Sequence, residues 1–462
     1  MFSSSTIPPD SNTGHAIVAL IPRNVNNLFA FLTIFRGKLC VNKKMLSALV
    51  ATVLMSGSPD RALLDYIAIP QKGLPTAKLT RTNGIDEIEF CSQMWQKQLW
   101  SHRILMKVPK GAENSETAIL YITGDGPFKG DMVDINLLSN ATGMPIMMLF
   151  NIPNQPIWEL KEDDLIAHTF NKYLETGDAT WPLLFPMTKA AVSSMDVIQR
   201  FTKQNGMNIK KFVVTGASKR GWTTWLTAAS GDKRVVGIAP MVYDNLKIDA
   251  QMKHQIEMWG EYSEQIADYT RRGLQEKLQT KEGQKLMEMV DPYSYRDRIK
   301  IPTLIVNGSN DQYWATDATK LYWNDLKQAK NVLQVPNNGH GLSDRIRLTN
   351  SIGAFARSLN GAFKFPRLQS KTTVTEDDIS FNLDPSEGQM EAVSIWKAES
   401  DTKDFREQRF VEEKKAKSDI LKTELKAGKW SAVFLEARYN IDGKPFTLST
   451  PAEVAYGGKP QK

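Results

Sequence analysis

Between residues 118 and 335 the chain alternates short, unbroken apolar runs with longer stretches whose apolar residues recur at helical spacing. The runs at 118–122, 145–150, 212–214, 235–242, 303–306 and 332–335 predict strands covered on both faces, the pattern of a parallel sheet. Helices are predicted at 190–201, where Val192, Met195, Val197, Ile198 and Phe201 share a face, at 221–229, and at 342–359, ending before Asn360-Gly361. The stretch 245–290 lacks strand periodicity and is rich in Gln, Glu, Lys and Met. It falls between two predicted strands, so it is expected to form a helical cap over the C-terminal ends of the strands, with Trp259, Tyr262 and Tyr269 as candidates for its inner lining. After Phe365-Pro366 the pattern shortens to strand lengths at 379–383, 391–397, 430–439 and 446–454, which predicts a small β-sandwich-like domain over 366–462. The charged run 412–417 reads as a solvated turn or face.

The first 58 residues differ in kind. Lys43-Lys44, an 11-residue apolar run from Met45 to Met55, and Ser56-Gly57-Ser58 form a signal-peptide pattern, too short to cross a bilayer comfortably. Forty residues precede it, and a start at Val41 would leave a compact signal. The expectation is an exported protein without a stable transmembrane anchor, with a leader at 1–58 and an α/β domain at 59–365.

Charge and cysteines narrow the chemistry. There are 58 Lys and Arg against 51 Asp and Glu, but five of the basic residues and only Asp10 of the acidic ones lie in the leader. The remaining 53 against 50 is no nucleic-acid footprint. Cys40 lies in the leader, which leaves Cys91 without an internal partner. The five histidines show no metal-ligand spacing, so neither metal nor cofactor is expected.

The chemistry concentrates in KKFVVTGASKRGWTTWLTAA at 210–229. A strand, a turn of small residues around Ser218 and an apolar helix are the context of a nucleophile elbow, with the helix N-terminus behind the serine. The usual pattern is GxSxG, whereas here Arg220 stands at the second Gly position and Gly221 follows. Downstream, Asp311 ends a strand–turn segment (IPTLIVNGSND), and His340 sits in the Gly-flanked loop VPNNGHGL. Ser, Asp, His is the chain order of the α/β-hydrolase fold. His340 would serve as general base and Asp311 would orient it. Asp317 and Asp244 also follow strands and are the alternative acids, whereas His254 and His168 lie in helical stretches. The oxyanion donors are expected from the backbone N–H of Lys219 and from the Gly124-Asp125-Gly126 turn. Arg220 reads equally as a substrate-facing charge and as the partner of a buried carboxylate.

The blocks NIPNQPIWELKEDDLIAHTFNKYLETGDATWPLLFPMTKAAVSSMD (151–196), TGASKRGWTTWLTAA (215–229), IAPMVYDNL (238–246), NGSNDQYWATD (307–317) and VPNNGHGL (335–342) resemble the PhoPQ-activated pathogenicity-related proteins, which include the autocrine proliferation repressor of social amoebae. The resemblance implies an exported α/β-hydrolase-like protein tied to virulence and peptide resistance, and the shifted Gly belongs to that family's own elbow. Within that frame the sequence predicts a serine hydrolase acting on a small peptide or ester, with a peptidase of aminopeptidase or dipeptidyl-peptidase type favoured over an esterase. An aminopeptidase would need a carboxylate for the substrate amine, with Glu257, Glu261 and Glu264 of the cap as candidates. DPYSYRDRIKIPTLIVNGSND is similar to a region of prolyl-oligopeptidase-type hydrolases. The Ser218-Lys219-Arg220-Gly221 elbow, by contrast, resembles that of glucuronoyl esterases and suggests a carbohydrate esterase. A secreted signalling or binding protein with little turnover is the alternative outside enzymes.

Overall fold

Charged and apolar residues interleave along the first strands, so these can face solvent on one side, and they open the sheet as an antiparallel meander. They are β1 (Lys78–Thr82), β2 (Ile85–Trp95) and β3 (Gln98–Lys107), preceded by a short helix α1 (Ala62–Ala68). This computed structural model describes residues 61–82, 84–384 and 390–458; the leader and the Val41 start lie outside them. The continuous apolar runs then supply six further strands: β4 (Thr117–Ile122), β5 (Ile146–Phe150), β6 (Lys211–Ala217), β7 (Val235–Met241), β8 (Thr303–Gly308) and β9 (Lys330–Val335). The spatial order is β1-β2-β3-β5-β4-β6-β7-β8-β9, with β3 antiparallel to β5 and every later pair parallel. The crossing of β4 and β5 and the parallel run after it are the topology of the α/β-hydrolase fold.

Helices cover both faces because the strands are apolar on both. The remaining long helices are α2 (Lys129–Thr142), α3 (Glu162–Thr176), α4 (Leu184–Gln204), α5 (Lys219–Ala229), α6 (Ile248–Trp259), α7 (Lys281–Val290) and α8 (Arg345–Leu359). Strand alternation sorts the core. Ala118, Leu120 and Ile122 of β4 join a cluster with residues of α4 and α5, while Ile119 joins one with residues of α2 and α8. Among the described residues, no helix is long and apolar enough to cross a membrane.

The strands after Pro366 are β10 (Ser370–Val374), β11 (Asp378–Leu383), β12 (Ala392–Ser400), β13 (Val411–Lys415), β14 (Ile420–Glu424), β15 (Trp430–Ile441), β16 (Lys444–Ser449) and β17 (Glu453–Tyr456). They form two layers, β10-β11-β14 on one side and β12, β13, β15, β16 and β17 on the other. The second layer continues the central sheet: β16 lies antiparallel to β9 through Ser449 and Val332, giving 14 strands in all. Core is shared too, since Ile379 and Phe381 of β11 belong to the same cluster as Leu333 of β9. The segment expected as one strand at 446–454 is two, broken where Pro451 withholds an N–H. The run at 412–417 falls largely on β13, an outermost strand whose charges discourage pairing with another chain.

Candidate active site

At the C-terminal end of β6 the chain turns sharply into α5, and Ser218 occupies the turn at φ 57°, ψ −124°. That conformation is costly for a residue with a Cβ, and it is held from both sides. Ser218 N–H donates to Met241 O at 2.9 Å, and its carbonyl accepts from Trp222 N–H at 3.0 Å. The displaced glycine has a steric cause. A Cβ on Gly221 would lie 2.6 Å from Met241 O, so the close helix–strand approach falls three residues after the serine. Position 220 is thereby free for a long side chain.

Arg220 uses that freedom inward. Its Nη1 and Nη2 donate to the two oxygens of Glu162 at 2.7 Å each, and its Nε donates to Ile152 O. The guanidinium lies over Gly124, where a Cβ would be 2.5 Å from Nη2. Of the two sequence readings, this is the structural pairing. Lys219, also buried, donates to Asp163 Oδ2 at 2.7 Å, while Asp163 Oδ1 accepts from Tyr269 OH at 2.9 Å. Next in line, Asp164 pairs with Arg272 of the cap. Three consecutive carboxylates at the start of α3 therefore tie the elbow to the cap. Burial works against the Glu162 charge, but the Arg220 fork and Lys219 outweigh it and bring its carboxyl down to about 2. Burial likewise works against the Lys219 ammonium, but Asp163 and Glu162 raise its pKa.

His340 Nδ1 faces Asp311, at 2.9 Å from Oδ2 and 3.0 Å from Oδ1. Asp311 also accepts from Tyr313 N–H at 2.8 Å, and Tyr313 stacks on the imidazole. His340 Nε2 is buried and has no hydrogen-bond partner. The structure thus records no hydrogen bond between Ser218 Oγ and Nε2, where the sequence reading expects a contact within about 3.5 Å. The loops carrying the pair are braced by the C-terminal strands' connections. Asn310 Nδ2 donates to Phe405 O at 2.8 Å and Gln408 O at 2.7 Å, and Asn337 exchanges hydrogen bonds with the Phe410 backbone.

The alternative acids are engaged elsewhere. Asp317 holds His254 Nε2 at 2.7 Å and Lys320 at 2.6 Å. Asp244 accepts from Thr319 Oγ1 at 2.7 Å and from Tyr322 OH, and burial pushes its carboxyl up to about 7. His168 packs against Trp158.

A cavity of about 70 Å³ opens between the elbow and the cap, lined by Ser218, Lys219 and Asp163 at one side and by cap residues including Met252, Tyr269 and Leu278. The segment 245–290 therefore lies over the ends of β6 and β7. Only one of its three expected aromatics lines this cavity. Tyr269 does, whereas Trp259 lies under the Arg406 guanidinium and Tyr262 packs beside Ile266 and Trp314. The cap glutamates are placed differently from the aminopeptidase expectation. Glu257 is exposed and pairs with Lys403 at 2.8 Å, and neither Glu261 nor Glu264 lines the cavity. In the expected oxyanion turn, the Asp125 carboxylate takes Gln155 Nε2 at 3.2 Å and lies 3.7 Å from Lys161, while Gly126 O accepts from Arg103. None of Gly124, Asp125 and Gly126 lines the cavity. Sequence reasoning gave no role to Glu162, Asp163 or Tyr313; acids in a first helical turn read as ordinary dipole partners.

Autocrine proliferation repressor protein A of Dictyostelium discoideum is 33% identical over 468 residues, covering 89% of this chain and 92% of that protein. Among solved structures, acetyl xylan esterase 1 from Thermoanaerobacterium superposes with a TM-score of 0.46 at 14% identity, over 65% of this chain and 92% of the esterase. Pyrococcus horikoshii acylaminoacyl peptidase gives 0.41 at 14% identity, over 62% of this chain and 42% of the peptidase. Residues 71–406 match the PhoPQ-activated pathogenicity-related protein description. By that match and by the amoebal relative, the chain belongs to the PhoPQ-activated pathogenicity-related protein family.

Proposed function

We propose that the protein is a serine hydrolase that transfers a carboxylic acyl group to water through Ser218. The observation that carries the reading is Ser218, strained on the cavity wall, in the same fold as a histidine whose Nδ1 is held by Asp311 and whose Nε2 is free. With the Nδ1 proton directed at Asp311, Nε2 is the basic nitrogen. Ser218 Oγ attacks the acyl carbon and its proton passes to Nε2. The carbonyl oxygen takes the negative charge opposite the Lys219 N–H. The imidazolium then protonates the departing alcohol or amine, leaving an acyl ester on Ser218. Water attacks that ester, gives its proton to Nε2, and the acid leaves as Ser218 recovers the proton.

The site favours an ester, or an amide without a free amine, over an aminopeptidase substrate. The carboxylate in the cavity wall, Asp163, already binds Lys219 and Tyr269, which leaves a substrate ammonium no unpaired counter-charge there. Export belongs to the same proposal and rests on the Met45–Met55 run; N-terminal sequencing of protein from its host checks it. A fluorophosphonate probe tests the chemistry. Covalent labelling of the wild type and its loss in Ser218→Ala are expected. An unlabelled, folded wild type would overturn the hydrolase reading in favour of a signalling or binding protein.

A further inference from the structure

The cavity wall is a continuous series of rings. Phe170 meets Trp222 edge to face at 6.0 Å, Trp222 stacks on Tyr243 at 4.9 Å, and Tyr243 meets Trp314 at 6.2 Å. Met252, Leu278 and Met287 contribute aliphatic surface from the cap side. The charges in the wall are paired with each other, as Lys219 and Asp163 are. Such a lining suits a neutral, mainly apolar group.

Three polar atoms break the pattern. Gln275 Oε1, Asn245 Oδ1 and the Tyr243 hydroxyl belong to cavity-lining residues, are buried, and have no hydrogen-bond partner. Gln275 and Asn245 are 8% and 6% exposed. The other end of the Gln275 amide is committed, because Nε2 donates to Thr270 Oγ1 at 2.9 Å, and this leaves the oxygen unpaired. The Asn245 side chain adjoins the Tyr243 hydroxyl, whose own hydrogen is uncommitted and can turn to it, so Gln275 Oε1 is the acceptor left without a donor from the protein. A buried acceptor gives up water on folding and regains nothing until a donor arrives. An acyl group carrying an O–H or N–H would bring one.

Size limits the group. The cavity holds about 70 Å³, roughly half of the about 150 Å³ in which an engineered apolar cavity accommodates benzene. A long fatty chain does not fit beneath the cap.

We propose that this cavity is the acyl pocket and that it selects a short, neutral, mainly apolar acyl group bearing one hydroxyl or amide N–H, received by Gln275. The inference rests on the serine-hydrolase reading. The experiment compares kcat/KM for 4-nitrophenyl acetate, butyrate, 3-hydroxybutyrate and decanoate, alongside fluorophosphonate labelling. The 3-hydroxybutyrate is expected to exceed butyrate about tenfold, and decanoate to fall at least tenfold below butyrate. In Gln275→Leu the hydroxyl advantage should collapse to a ratio near one, with labelling reporting that the site is still folded. Equal wild-type rates with and without the hydroxyl, preference for decanoate, or an unchanged ratio in Gln275→Leu would overturn the pocket assignment. Labelling together with acetate turnover but no discrimination defeats this inference alone. Absence of both defeats the hydrolase reading itself.

Discussion

Tyr313 lies nearly flat on His340, with ring centroids 4.0 Å apart and planes inclined by 29°, while its own N–H binds the Asp311 carboxylate that holds the same imidazole. One residue thus fixes both the face and the partner of the histidine. Tyr313→Phe keeps the stack and should stay within about threefold of wild-type kcat. Tyr313→Ala releases the ring and should lower kcat by about 10- to 100-fold, because small misplacements of a base are costly. Steady-state kinetics on 4-nitrophenyl acetate decide; an unaffected Tyr313→Ala would remove Tyr313 from the positioning scheme.

The triad assignment predicts an ordered series. Ser218→Ala and His340→Ala should each lower turnover by roughly 10⁴- to 10⁶-fold with the fold retained. Asp311→Asn should be severe, on the order of 10⁴-fold, through the wrong imidazole tautomer. Asp317→Asn should act on thermal stability, since Asp317 holds His254 and Lys320. A silent Asp311→Asn beside an inactive, well-folded Asp317→Asn would reverse the choice of acid.

The Ser218 elbow and the Asp311–His340 pair were legible in the sequence because each sits in a local strand–turn context: Ser218 before an apolar helix, Asp311 and His340 in loops after apolar runs. The network behind it was not. Glu162 and Arg220 lie 58 residues apart, and Asp163 and Lys219 lie 56 apart, so their pairing depends on how α3 docks against α5. The helical cap followed from its position between strands. Which of its aromatics faces inward depends on how its short helices turn, and Tyr269 could not be told from Trp259 by spacing. The union of the C-terminal layer with the central sheet runs through Ser449 and Val332, a register that alternation within either segment does not reveal.

Asp163→Asn should destabilise the protein by up to about 3–5 kcal/mol, the usual effect of breaking a buried ion pair, here the one with the Lys219 ammonium. Chemical denaturation measures it. A change under about 1 kcal/mol would mean that Glu162, 3.2 Å from Lys219, carries the pairing alone.

Stability should peak in mildly acidic solution as far as two carboxyls are concerned. Asp291 accepts the N–H groups of Lys247, Ile248 and Tyr293, and burial pushes its carboxyl up to about 6. The folded state therefore binds the extra proton, and this contribution is lost as pH rises from about 4 through 6. Glu162 runs the other way. Its carboxyl is brought down to about 2, so its contribution is present above about 4.5 and lost as pH falls through 2. Asp291→Asn should flatten the decline between pH 4 and 6 in melting temperature. An identical profile in the variant would refute the assignment.

Removing residues 367–462 should yield aggregated, inactive protein, because it bares the edge of β9 and frees Asn310 and Asn337. A soluble, active fragment would show that the C-terminal layer is dispensable.

The brace from that layer reaches Asn310 and Asn337 only through main-chain atoms of Phe405, Gln408 and Phe410. Peptide groups are the same whatever side chains they carry. Substitution along 405–410 is therefore constrained by the path the segment takes and by the burial of Phe405 and Phe410, not by any functional group presented to the two asparagines. An unrelated segment following that path would steady the Asp311 and His340 loops equally well. The requirement it leaves in the sequence falls on the asparagines, next to Asp311 and three residues before His340.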